Sequence, residues 1–70
     1  MNTDILEFVS IVIGAIAEKL GLQVTDVFRR LKSSGILYSY IIPSYDVLHT
    51  FSLPYVVDDV VEFMNKKGVL

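Results

Sequence analysis

The chain has no cysteine and no tryptophan, and only one histidine and two prolines among its 70 residues. Without cysteine, no disulfide staples the fold and no thiolate can serve as nucleophile or metal ligand. A single histidine falls short of a zinc site, which takes three or four nitrogen, sulfur or carboxylate ligands. Positive charge is also scarce. Six Lys and Arg stand against eight Asp and Glu, for a net charge of −2. No overall basic field therefore draws the chain to nucleic acid or anionic lipid. The uncharged, mostly apolar run from Phe8 to Ala17 is far short of the ~20 residues that cross a bilayer. Asp4 and Glu7 precede it, and no Lys or Arg comes before Lys19, whereas a signal peptide opens on positive charge. No membrane association and a cytoplasmic location are expected.

What the chain does have is apolar content. At 53% it excludes disorder, which goes with low hydrophobicity and high charge. The length suits one domain, residues 1–70, burying only about 60% of its unfolded surface. A second copy or a protein partner covering more apolar area would add stability.

The periodicity predicts an all-α fold of three main helices with one or two short helical turns. The first helix is expected over Asp4–Leu20. Asp4 and Glu7 form a capping-box pattern, and Gly21 stands at the left-handed terminus. Ile5, Leu6, Phe8, Val9, Val12, Ile13, Ile16, Ala17 and Leu20 fill an arc of about 200°. That is wide enough for neighbours on two sides. Ile11 lies in the opposite, polar stripe near Gly14. Either Ile11 is a single exposed apolar residue, or Ile11 and Gly14 mark self-association, a homodimer contact.

Val24, Val27, Phe28 and Leu31 lie at i, i+3, i+4 and i+7, which predicts a second helix over Val24–Ser33. Gln23 is a weak cap, and Gly35 ends the helix. Arg29, Arg30 and Lys32 form its outer face. They are either a solvated face near the C-terminal dipole or a basic patch for phosphates and acids. Ile36–Ile42 is expected as a short helix stopped by Pro43, which pushes the residue before it out of the α region. Ser44 is placed to cap a turn through Leu48, with Tyr38, Tyr40, Tyr45 and Phe51 clustering at this corner. The last helix is expected over Leu53–Lys67, with Ser52 as cap, Pro54 in the first turn and Gly68 at the end. Its four valines favour a strand, but helical periodicity and both caps outweigh them.

The segment Tyr40-Ile-Ile-Pro-Ser-Tyr-Asp-Val-Leu-His-Thr50 concentrates hydrogen-bonding side chains between two helices. Tyr40, Tyr45, Asp46, His49 and Thr50 are the candidate corner, for binding a partner or for holding the link. His49 is the only histidine, the residue type suited to proton transfer near neutral pH. Catalysis would need an activated nucleophile beside it; Ser52 is close in sequence but has no Gly-rich oxyanion loop. A structural His49 would pair with Tyr45 or Asp46. On that reading His49→Ala and Tyr45→Phe both lower the melting temperature. Asp58, Asp59 and Glu62 lie opposite the apolar stripe and read as a solvated face rather than a catalytic pair. The second helix and the one after it have a helix-turn-helix outline, yet Ile36-Leu-Tyr-Ser-Tyr-Ile-Ile offers no Arg, Lys, Asn or Gln to base edges.

The Tyr40–Thr50 string, Tyr55-Val-Val-Asp-Asp-Val-Val-Glu-Phe-Met, the terminal Gly68-Val-Leu, Asp4-Ile-Leu-Glu-Phe and Ala17-Glu-Lys-Leu together resemble a family of small bacterial proteins, domain of unknown function 3791. The chain departs from it at Phe51-Ser-Leu-Pro, where members often carry a polar, Gly-containing turn. The resemblance implies no established activity. It does imply an accessory or antitoxin-like pairing with a neighbouring-gene protein similar to ADP-ribosyltransferases. The expected function is a non-enzymatic protein-protein interaction module with no cofactor and no metal. The alternative is a helix-turn-helix-like nucleic-acid-binding regulator, a partner class the charge balance disfavours.

Overall fold

Two short polar side chains begin the longest helices. In the computed structural model, which describes residues 1–70, α1 spans Thr3–Leu20 and its cap is Asn2, whose side chain accepts from the Ile5 amide at 2.8 Å. The capping box expected at Asp4 is not used. The helix starts two residues earlier, at the Asn2 cap, and Asp4 stands in the first turn, where its charge still favours the helix dipole. α1 ends at Gly21, whose φ of 67° is left-handed and free of a Cβ penalty. At the other end of the chain, Ser52 caps α4, Leu53–Lys66, by accepting from the Tyr55 amide at 3.4 Å.

α2 spans Val24–Ser33, as the periodicity predicts, and Gln23 makes no side-chain cap bond. Its apolar stripe is only half used. Val27 and Leu31 are buried, while Val24 and Phe28 remain exposed.

The segment after Gly35 differs from expectation in an instructive way. Leu37–Ile41 is a π-helical turn, in which the Ile42 amide donates to the Leu37 carbonyl five residues back at 3.0 Å. Pro43 accounts for the widening. In a regular α-helix its ring would strike the carbonyl four residues earlier, and it has no N–H to offer there. A one-residue bulge moves that carbonyl aside. Ile42 therefore stays in the α region, with φ −66° and ψ −50°, although it precedes proline. The chain turns through Pro43 and Ser44 into α3, Tyr45–Leu48. Ser44 stands at the N-cap of α3, but its side chain makes no cap bond.

The chain is all-helical, with three longer helices and two short elements. α1 packs against both α2 and α4, which is what its wide apolar arc requires. The core draws Val9, Val12, Ile13, Ile16 and Ala17 from α1, and Val27 and Leu31 from α2. Ile36, Leu37, Ile41 and Leu48 come from the middle segment, and Val56, Val57, Val60 and Met64 from α4. No polar or charged residue is buried within it. The radius of gyration, 10.9 Å, is that of a fully compacted chain of this length, about 11 Å. Arg30 ties the C terminus to α2 by donating to the Val69 carbonyl at 2.7 Å.

Candidate functional site

The π-turn and α3 send their aromatic side chains in opposite directions. Tyr40 faces α4. Its ring meets Phe63 edge-on, with centroids 5.2 Å apart, and its hydroxyl donates to Asp59 Oδ2 at 2.5 Å. The Tyr40 pKa is pushed up from 10.0 to about 12, first by this hydrogen bond, then by burial and by the negative charge of Asp59 and of Tyr55 when ionised. The hydroxyl thus stays protonated, as a donor. Asp59 is half-buried, so it does not belong to the purely solvated face expected for it; Asp58 and Glu62 do, each in an ion pair with a lysine.

Tyr45 faces α1 instead. Its ring meets Phe8 edge-on at 5.4 Å and stacks on His49 at 4.5 Å. His49 Nδ1 lies 2.8 Å from the Tyr45 carbonyl, one turn back, so the contact of His49 with Tyr45 runs through backbone and ring rather than the hydroxyl. Thr50 donates to the Val47 carbonyl at 2.6 Å. Asp46 is exposed on the first turn of α3. The five candidate corner residues therefore do not converge. The predicted cluster of Tyr38, Tyr40, Tyr45 and Phe51 forms only in part: Tyr40 and Phe51 border one groove, while Tyr45 turns to α1. Tyr38 is exposed, and Phe51 pairs with Tyr55 at 4.8 Å. Side chains at 40 and 45 diverge because the π-bulge and the proline turn rotate the chain between them.

That divergence opens two concavities. One is a groove of about 350 Å³ between the π-turn, α3 and the start of α4, lined by Tyr40, Pro43, Ser44, Val47, Leu48, Phe51, Tyr55 and Asp59. Leu48 is its buried member, while Val47, Phe51 and Tyr55 are 59%, 45% and 56% exposed. The other is a shallow recess of about 220 Å³ at α1, lined by Asp4, Glu7, Phe8, Ile11, Tyr45 and His49. Ile11, 49% exposed, sits on its edge. Gly14 faces open space, with nothing within 4 Å of where a Cβ would stand. Sequence reasoning missed Val47, Tyr55 and Asp59 as members of one surface. Val47 looked like an ordinary position of a short turn and Tyr55 like one of the aromatics enriched between Tyr38 and Tyr55, and only the turn at Pro43 aligns them.

The basic residues of α2 are partly engaged. Arg30 is half-buried, with Nε 3.4 Å from Asp26 Oδ1, a charge contact without hydrogen-bond alignment. Arg29 lies 3.5 Å from the same carboxylate. Lys32 is exposed, its ammonium 5.9 Å from the Phe28 ring centre. No three metal-ligating side chains converge anywhere in the chain, and no helix is long and apolar enough to cross a membrane.

No curated protein and no solved structure matches the chain. Residues 7–67, a span that contains the whole groove, match the family described as "Protein of unknown function (DUF3791)", and the chain belongs to that family.

Proposed function

We propose that this chain is a non-enzymatic protein-interaction module that docks a protein partner through the groove between the π-turn, α3 and α4. One observation carries the reading: Val47, Phe51 and Tyr55, three large and mostly apolar side chains, remain about half exposed around a concave surface. Aromatic side chains bury much area at low entropic cost, and they are enriched at interface centres. The groove is open, which suits a side chain of another protein better than an enclosed small molecule. In this reading the chain is one domain, residues 1–70, built as a three-helix bundle with two short turns. Its setting is cytoplasmic, and its partner is a neighbouring-gene protein in an antitoxin-like pairing, as the family resemblance implies.

Self-association through Ile11 and Gly14 is the second form of the same reading, favoured by the exposed Ile11 and the open space over Gly14. The nucleic-acid alternative has less support, because Arg30 of the basic patch is occupied by Asp26 and the Val69 carbonyl. The decisive experiment compares light scattering and co-purification with the neighbouring gene product for the parent, for a Val47→Ser/Tyr55→Ser variant and for Ile11→Glu. The proposal expects a complex that the groove variant loses. A strictly monomeric protein that retains no partner sinks it.

A further inference from the structure

The groove carries charge as well as apolar surface, and the charge is lopsided. Asp59 is its only acid, and no Lys, Arg or His lines it. The neighbours of Asp59 on α4 are neutralised within the chain. Asp58 is bridged by Lys19 at 2.5 Å and Glu62 by Lys66 at 3.0 Å. Asp59 has no such cation. Its Oδ2 accepts from the Tyr40 hydroxyl, which anchors the carboxylate by that oxygen, while Oδ1 accepts no hydrogen bond from the chain. A half-buried carboxylate is thus anchored beside an apolar cleft, with one oxygen free.

Resting on the docking reading above, we propose that the groove takes a basic segment of a partner protein: an apolar side chain seated over Leu48 between Val47, Phe51 and Tyr55, and a Lys or Arg of the same segment on Oδ1 of Asp59. The physical choice is among three occupants. An acidic segment brings like charge to a carboxylate that has no ion pair of its own. A neutral one strips water from Asp59 and returns nothing for it. A basic one replaces that water with a charge-assisted hydrogen bond. Tyr40 stays protonated at every pH where proteins normally work, so Asp59 keeps this anchor. The other exposed apolar side chains, Val24 and Phe28, line a recess with Ser10, Ile13 and Thr25, and no charged side chain lines it to say what covers it.

The test selects random peptides from a display library on the immobilised protein and then measures the enriched peptides against variants. The proposal expects peptides with an apolar anchor and a nearby Lys or Arg. Their affinity falls about three- to tenfold with Asp59→Asn, which retains an oxygen for the Tyr40 hydroxyl. Replacing the peptide's own Lys or Arg by an uncharged residue gives a similar loss, and that loss does not depend on any change to the protein fold. If enriched peptides lose binding in the Val47→Ser/Tyr55→Ser variant but show no basic preference, or ignore Asp59→Asn, the charge inference falls and the groove remains. If enriched peptides bind that double variant as well as the parent, or if no peptide is enriched, the groove reading falls and takes this inference with it.

Discussion

Tyr40 is the residue whose chemistry the fold changes most. Its folded pKa, about 12, lies above the ordinary 10.0. A group raised on folding contributes stability that is fully present below the unfolded value and is lost as pH rises through the folded one. The alkaline limb between pH 10 and about 12 should therefore be steeper for the parent than for Tyr40→Phe. Urea midpoints measured across that window check it, and a tyrosinate absorbance titration of Tyr40→Phe should lack the highest-pH step. Below pH 10 the same variant loses its bond to Asp59, worth about 1.5–3 kcal/mol because the acceptor is charged. His49 and Tyr45 separate differently from the sequence expectation. The Tyr45 hydroxyl makes no hydrogen bond within the chain, while its ring packs on Phe8 and His49. Tyr45→Phe should thus leave the melting temperature within a few degrees of the parent, since such changes stay within about 0.5 kcal/mol. His49→Ala removes the stacked ring and should cost about 0.5–1.5 kcal/mol. Thermal melts of the two variants side by side decide the point. Equal losses would mean that the Tyr45 hydroxyl has a role the geometry does not provide.

At the scale of the element, the glycines of α1 make opposite predictions. Gly21 holds a φ of 67° in open space, so Gly21→Ala meets no atom yet is strained by its backbone and should cost about 1 kcal/mol. Gly14 lies inside α1 with helical backbone and nothing near its Cβ position. Gly14→Ala in an isolated chain should therefore stabilise by about 0.5–1 kcal/mol, a rise of several degrees for a domain of this size. If a second copy packs closely over Gly14, the added methyl obstructs it, and calorimetry at high protein concentration will show a loss instead. The sign of one measured shift thus separates a free α1 face from a self-association face. The π-turn follows the same logic. Pro43 was legible in the sequence as a stop: the π-turn ends at Ile41, and the chain turns through Pro43 and Ser44, where φ is −95° and ψ 10°, before α3 begins at Tyr45.

For the whole molecule, stability and binding should separate. Val47 and Tyr55 are more than half exposed, so Val47→Ser/Tyr55→Ser should melt within a few degrees of the parent, because exposed substitutions rarely exceed about 0.5 kcal/mol each. Val60→Ala, by contrast, removes two methyl groups from a fully buried position and should cost on the order of 1–3 kcal/mol, a large share of what a chain this small can have. Chemical denaturation of both variants shows the contrast. A groove variant that unfolds as readily as Val60→Ala would mean that the groove side chains hold the fold together rather than wait for a partner.

Local sequence determined the helices. The 3.6-residue spacing of Val27 and Leu31, and of Val56, Val60 and Met64, together with Ser52 and Gly21 at the ends, specify α2, α4 and the end of α1, because caps and periodicity act within one turn. The wide apolar arc of α1 even foretold packing on two sides, since buried stripes must be covered. The family resemblance, likewise, was carried by strings of consecutive residues. What only the tertiary structure decided is where side chains on different segments meet. Asn2 rather than Asp4 caps α1, because the helix begins at Thr3 and leaves Asp4 inside its first turn. Asp59, which looked solvated, accepts from Tyr40 nineteen positions earlier because the π-turn packs on α4. Val24 and Phe28 match the periodicity as well as Val27 and Leu31 do, yet they stay exposed because α2 has too few neighbours to cover its whole stripe. The groove exists for the same kind of reason: Pro43 turns the chain by an angle that no periodicity encodes, and that angle sets Val47 and Phe51 beside Tyr55.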